Sequence, residues 1–372
     1  MAGIMTTTTY NRGMPQSVID QQSRTRSRHL ETLSVAVVGA TGMVGSELLR
    51  IVEQRRMQFR ELRLLASARS AGQSIALHAN RHEIREMSER ALEGVDLAFF
   101  AAGGSISREF APRAAERGTI VIDKSSAFRM DPGVPLVIPE INGSPLNASS
   151  PSSGGIIAVP NCTTIITLMA VTPLHRAVGI ERMVVSTYQA ASGAGAAGVE
   201  ELERQARDFA AGRPITPRKF KSPYMFNLFS HDSPIDAAGE NDEEAKLRRE
   251  THKIWGDDSV KIAATCVRVP VLRCHAASIN LTLKSPLGED AARDLIGAFP
   301  GVRIVDDRAG NRFPEPVDAT GEDDVLVGRI RADQSQAPGM GLNLFVCGDQ
   351  VRKGAALNAV QIAEWFFDQR PR

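Results

Sequence analysis

Cysteine is scarce in this 372-residue chain: Cys162, Cys266, Cys274 and Cys347 are scattered and form no C-x-x-C pair. Four such residues cannot staple a chain of this length, which points to a reducing, cytoplasmic compartment. Long hydrophobic runs are missing too. The longest mostly apolar stretches, 95–102 and 165–171, fall well short of the ~20 residues that span a bilayer. Charge of one sign is also missing, since 44 Lys and Arg against 43 Asp and Glu leave a net +1. No global field draws in nucleic acid or an acidic membrane, so an anion site must be built locally. No repeat of 20–50 residues appears, which removes solenoids and propellers.

What remains is an ordinary globular mixture, 42% hydrophobic and 23% charged, long enough for two domains. Residues 1–32 are the exception. Within residues 1–30, Arg12, Arg24, Arg26 and Arg28 face a single acid, Asp20, without apolar periodicity. The segment reads as a disordered bacterial extension, with an organelle transit peptide as the alternative. It has no apolar signal-peptide core.

From Leu33 the pattern changes. A β-branched run ends at Gly39, and 46–55 follows as a helix with Leu48, Leu49 and Val52 on one side. Further strands are expected at 62–66, 97–101 and 119–123, with a helix at 108–117. Alternating β and α with apolar strands predicts a parallel sheet covered on both faces, with ligands beyond the strands' carboxyl ends. A Ser, Pro, Gly and Asn-rich loop over 144–155 marks the end of this domain. The second region, 156–353, predicts strands at 183–189, 262–269, 278–283 and 342–347 and charged helices at 199–211 and 242–254. That is an α+β domain with an open, partly antiparallel sheet. The last helix, 355–367, carries an apolar stripe (Leu357, Val360, Ile362, Trp365, Phe366) whose burial requires a return to the first domain.

The first strand leads into Gly39-Ala-Thr41-Gly42-Met43-Val44-Gly45, a GxxGxxG turn opening a helix. Such glycines let backbone N–H groups approach a pyrophosphate at the positive helix end, which makes 33–155 a Rossmann-type nucleotide domain completed by 354–369. After strand two stand Ser67-Ala-Arg69-Ser70, where an NAD site usually places a carboxylate. Hydroxyls and a guanidinium suit a 2′-phosphate and favour NADP; the bland alternative is an exposed basic loop.

Pro160-Asn161-Cys162-Thr163-Thr164 precedes an apolar helical run at 165–175, which Pro173 is expected to kink or end. A thiol at this N-cap feels free amides and the helix dipole, so Cys162 is expected to be an exposed elbow with a lowered pKa. The same amides can hold an oxyanion. Cys266, Cys274 and Cys347, in strand-like apolar context, read as small buried hydrophobes. His78 and His82 lie among Arg81, Glu83 and Arg85 and read as a solvated edge; no metal site is expected.

Seven ordered blocks spanning about 35–364 resemble the aspartate-β-semialdehyde dehydrogenase family. They are the glycine turn, Ser67-Ala-Arg-Ser-Ala-Gly, Phe128-Arg129, Pro160-Asn-Cys-Thr-Thr, 186–195 with Gln189 and Ser192-Gly193, 267–275 with Arg268 and His275, and Gly348-Asp-Gln350-Val-Arg-Lys-Gly. The resemblance implies NADP- and phosphate-dependent interconversion of L-aspartate 4-semialdehyde and L-4-aspartyl phosphate through a Cys162 thioester, serving lysine, methionine and threonine synthesis. It makes His275 the general acid/base, Gln189 a substrate-orienting amide and Asn161 a further oxyanion donor. Arg268 becomes the substrate-carboxylate arginine. Glu243, with Glu244 as its adjacent rival, takes the substrate ammonium, and Lys246 and Arg129 take phosphate. Gln350, Ser192 and Gly193 join the glycine turn around the cofactor, and a homodimer or tetramer is implied.

Two alternatives remain at this level. One is N-acetyl-γ-glutamyl-phosphate reductase, which shares the cysteine plan; the other is a non-catalytic NADP-binding sensor. Arg268 and His275 also pose a geometric problem, because an odd separation along a flat strand points them to opposite faces. A bulge or bend near Pro270 is expected to reconcile them.

Overall fold

The computed structural model describes residues 30–143 and 154–368. Residues 1–29 of the N-terminal tail and most of the 144–155 loop lie outside the described residues. No helix among the described residues is long and apolar enough to cross a membrane.

The apolar runs of the first domain form a seven-stranded sheet in the order β3-β4-β2-β1-β5-β6-β7. Its strands are β1 (Ser34–Val38), β2 (Glu61–Ala66), β3 (Ser74–Leu77), β4 (Asn80–Glu86), β5 (Leu97–Phe100), β6 (Ile120–Asp123) and β7 (Gly155–Ala158). All neighbours run parallel except the β3–β4 hairpin at the edge. Helices α1 (Met43–Gln54) and α2 (Gly104–Glu116) supply crossovers, and β1 and β5 are buried throughout, as a sheet covered on both faces requires. The hairpin was not anticipated because Arg81, Glu83 and Arg85 give an edge strand no apolar alternation. β7 pairs with β6, so the first sheet runs past the expected boundary at 155.

The second sheet is mixed, in the order β12-β13-β14-β11-β8-β10-β9. It comprises β8 (Ile180–Gln189), β9 (Phe229–Ser230), β10 (Lys261–Arg268), β11 (His275–Leu283), β12 (Val302–Ile304), β13 (Val325–Ala332) and β14 (Gly341–Gly348). β8 runs parallel to β10 and antiparallel to β11. β13 escaped the sequence pattern because its register shifts between Gly328 and Arg331, with Arg329 at φ 53°. On this sheet lie α3 (Cys162–Val178), α4 (Ala196–Ala210), α5 (Asp242–Trp255) and α6 (Glu289–Gly297). α3 does not end or break at Pro173. It continues to Val178 and stops at Gly179, φ 71°, because residues 163–174 are buried on every side and packing outweighs one missing N–H bond.

The chain returns through a π-helical turn, Arg352–Ala356, into α7 (Leu357–Asp368). α7 packs against α1, β6 and the short turn Pro139–Asn142, burying Leu357, Val360, Ile362 and Phe366. Charge stitches the two domains at the same place. Glu47 of α1 accepts from Arg273 Nη2 at 2.9 Å and Arg352 Nη1 at 3.0 Å, while Arg55 holds Glu364 of α7 at 2.7 Å.

Candidate active site

The glycine turn is sterically obligatory. A Cβ on Gly39 (φ 87°) would lie 2.8 Å from the carbonyl carbon of Ala101, and one on Gly45 only 2.1 Å from the Gly39 oxygen. Gly42 is the N-cap of α1, whose first turn has no side-chain cap and no acid, leaving the Met43, Val44 and Gly45 amides for an anion. Beside the turn, Thr41 Oγ1 and Ser70 Oγ approach to 3.5 Å, and Ser67 and Arg69 are exposed. Arg69 has no ion pair among the described residues. No carboxylate follows β2 to repel a 2′-phosphate.

Cys162 opens α3 in the crossover from the first sheet to the second. Asn161 is the N-cap: its Oδ1 accepts from Thr163 N at 2.8 Å and Thr164 N at 3.3 Å, its Nδ2 donates to Glu243 Oε1 at 2.9 Å, and its own N–H reaches Glu250 Oε2 at 2.6 Å. The cap shares the Thr163 and Thr164 amides that were expected to activate the sulfur. Cys162 is half-buried, not an exposed elbow, and burial and the Glu243 carboxylate raise its pKa above that of an ordinary thiol. Lys124, Arg129 and the Thr163 N–H pull the other way without prevailing. The expectation of a lowered pKa is therefore corrected for the ligand-free state.

Three adjacent strands bring the remaining groups together. Gln189 ends β8, Arg268 ends β10 directly opposite it, and His275 begins β11 on the other side. The parity problem disappears, because Arg268 and His275 are on different strands flanking β8. The chain between them turns instead of bulging, with Cys274 at φ 77°. Gly193 closes the group: a Cβ there would lie 2.8 Å from His275 Cε1 and 3.2 Å from Arg268 Nη1.

His275 is buried. Its Nδ1 accepts from Ala190 N at 3.1 Å, and its Nε2 has no partner among the described residues. The neutral ring therefore carries its proton on Nε2 and presents a donor. Burial and the Arg268 charge hold its pKa down to about 3. Arg268 is locked by Asp232 (Nε, 2.6 Å), His231 Nε2 (3.0 Å) and the Ala190 carbonyl (3.4 Å), with Phe220 against the guanidinium. Its η nitrogens keep N–H groups for a carboxylate.

The two glutamates separate cleanly. Glu244 Oε2 accepts from Asn241 N and Oε1 from Cys266 N, both at 2.9 Å, so it is a helix cap. Glu243 is buried and turned toward Asn161, Gln189 and Thr163, all of which donate to Oε1. Burial pulls its pKa up, but His231, Lys246 and the Asn161 amide hold it down to about 2. Lys246 stays on its own helix, 2.6 Å from Asp242 and 3.9 Å from Glu243 Oε2. Arg129 is buried and donates to Glu250, the Val159 carbonyl and the Lys124 carbonyl, each at 2.9 Å. Gln350 Oε1 accepts from Cys274 N at 2.9 Å and its Nε2 contacts Ser192 Oγ, tying the start of the C-terminal return to the 192–193 turn.

Several site residues were not anticipated. Glu250 lies two helical turns after Glu243, and that spacing on one buried face was a readable signal. Lys124, His231 and Asp232 gave none. Gly354 is a further case: a Cβ on it would lie 2.9 Å from Cys162 Cβ, so the C-terminal segment is pressed against Cys162.

A glycine turn opening a parallel nucleotide domain, with a cysteine in the crossover to a mixed-sheet domain, defines a two-domain nucleotide-dependent oxidoreductase. Residues 34–149 match the semialdehyde dehydrogenase NAD binding domain, and 171–353 match the semialdehyde dehydrogenase dimerisation domain. The chain belongs to the aspartate-semialdehyde dehydrogenase family. It is 48% identical to the Synechocystis sp. aspartate-semialdehyde dehydrogenase over 91% of this chain and 98% of that one. The Aquifex aeolicus enzyme is 43% identical over 89% and 96%. Among solved structures, Vibrio cholerae aspartate semialdehyde dehydrogenase II complexed with ASA superposes with a TM-score of 0.86 at 39% identity, over 91% of this chain and 99% of that one.

Proposed function

We propose that this enzyme interconverts L-aspartate 4-semialdehyde and L-4-aspartyl phosphate with NADP and inorganic phosphate through a Cys162 thioester, in the cytoplasmic route to lysine, methionine and threonine. The observation that carries it is the convergence of Cys162, Gln189, Glu243, Arg268 and His275 where the two domains meet. Arg268 takes the substrate carboxylate through its free η N–H groups. Glu243 takes the ammonium through Oε2, which accepts no hydrogen bond among the described residues and has the Lys246 ammonium 3.9 Å away. A substrate bearing an acetylated amine would waste that charge, which argues against the N-acetyl-γ-glutamyl analogue.

Anchored at both ends, the substrate offers its carbonyl carbon to Cys162. Gln189 steadies it, and His275 Nε2–H donates to its oxygen, where negative charge collects as sulfur adds. Of the general acid/base duties expected of His275, this tautomer supports the donor one. The glycine turn, Thr41, Arg69 and Ser70 fit NADP, and Ser192, Gly193 and Gln350 would help to hold it; when bound, it would supply the hydride exchange. Phosphate cleaves the thioester, with Lys246 and Arg129 exchanging part of their present carboxylate and carbonyl contacts for it. The dimerisation domain supports a homodimer, and a solution mass showing only monomer would refute that.

Phosphate-dependent NADPH formation from aspartate semialdehyde tests the reaction. Activity surviving Cys162→Ser, or preference for N-acetylglutamate semialdehyde, overturns it. Arg69→Asp is expected to shift preference toward NAD; unchanged NADP affinity removes the 2′-phosphate argument.

A further inference from the structure

The cations around Cys162 are nearly all committed. Arg129 pairs with Glu250, Arg268 with Asp232, and Lys246 with Asp242. Lys124 differs: its ammonium makes no hydrogen bond or ion pair among the described residues. Its placement is fixed by topology. It follows β6 directly, and β6 pairs with β7 with Asp123 opposite Ala158, so Lys124 and the Val159-to-Cys162 segment leave the sheet side by side. Arg129 clamps both, donating to the Lys124 and Val159 carbonyls, and its partner Glu250 accepts the Asn161 N–H. The flexible arm of Lys124 thus starts from an anchored backbone beside the nucleophile.

We propose that Lys124 is the counter-charge that stabilises the Cys162 thiolate in the working enzyme, adding to an α3 N-terminus whose Thr163 and Thr164 amides are shared with the Asn161 cap. This deepens the thioester reading above and rests on it. The surroundings leave few rivals. From α5 come Glu243 and Glu250, both negative, and from the β6 side come Lys124 and Arg129. The strands contribute Gln189 and His275, the latter neutral at working pH. The C-terminal element presents Gly354 and Gln350, with its nearby Lys353 turned away onto Glu140 at 2.8 Å. Lys124 also loses cost when it pairs: burial and the Arg129 charge make its lone ammonium unfavourable, and an adjacent thiolate relieves that. Substrate binding helps the same equilibrium, since an ammonium on Glu243 masks the charge that opposes ionisation.

The test reads Cys162 directly, without aldehyde, phosphate or cofactor. Iodoacetamide alkylation is followed from pH 6 to 10, with peptide mapping assigning the adduct and Cys162→Ser as the blank. In Lys124→Met the ionisation midpoint is expected to rise by about one unit, so the rate at fixed pH below it falls about tenfold. Lys124→Arg is expected to restore the wild-type midpoint. Equal midpoints in Lys124→Met and the wild type, with matching melting temperatures, overturn the proposal. Should Lys124→Met fail to fold, Lys124→Gln answers the same question by the same criterion. Loss of aspartate-semialdehyde turnover in the wild type would strike the proposed reaction and leave this measurement intact.

Discussion

At the residue scale, neighbouring glutamates with opposite duties show how one position along a helix decides chemistry. Glu243→Gln removes the charge that the proposed function assigns to the substrate ammonium, so KM for the semialdehyde is expected to rise about ten- to a hundredfold, given the ~1.5–3 kcal/mol of a charged hydrogen bond. Glu244→Gln instead loosens a helix cap, costing about 1 kcal/mol of stability with KM retained. Steady-state kinetics and urea unfolding of both variants check the pair, and an exchange of the two effects would overturn the assignment. His275 supplies a pH test. Its folded pKa, about 3, lies below the ordinary 6.5, so the folded state resists the proton that the unfolded state accepts. The stability this contributes is complete above pH 6.5 and is lost progressively as pH falls toward 3. NMR of the imidazole is expected to show no protonation between pH 8 and 5; a midpoint near 6.5 would refute the lowered pKa.

At the scale of elements, α3 and α5 are fastened to each other through their polar ends. The buried Arg129–Glu250 pair and the Asn161 cap form one connected set, so Glu250→Ala strands a buried guanidinium and frees the Asn161 N–H. Breaking such a pair costs about 3–5 kcal/mol, and chemical denaturation is expected to show a loss of that order. Loss below 1 kcal/mol would mean that water replaces the pair easily. The length of α3 belongs to this scale too. Local propensity favours a break at Pro173, yet a helix buried on every face keeps its axis because the surrounding core leaves it no alternative path.

Across the whole molecule, the active site depends on the chain's return. Residues 352–368 leave the second domain, press Gly354 against Cys162 and bury an apolar stripe on the first domain. Gly354→Val is expected to displace the sulfur and lower kcat about a hundredfold, as a misplacement near 1 Å can, while cofactor affinity changes little. Kinetics together with NADPH binding separate these; wild-type kcat would show that the contact relaxes freely. The Glu47, Arg273 and Arg352 contacts reinforce the same seam from α1.

The amino-acid order alone determined the α/β alternation, the glycine turn, the cysteine at a helix start and the apolar last helix, because periodicity, glycine geometry and capping are local. It could also line up candidates such as Arg268, His275 and Glu243 by resemblance. Only tertiary structure decided that Arg268 and His275 flank β8 from separate strands, that Glu243 and not Glu244 enters the site, and that the thiol's pKa is raised and not lowered. Those outcomes depend on which charges and strands meet across 54 to 85 residues of chain, and no short-range pattern encodes such encounters.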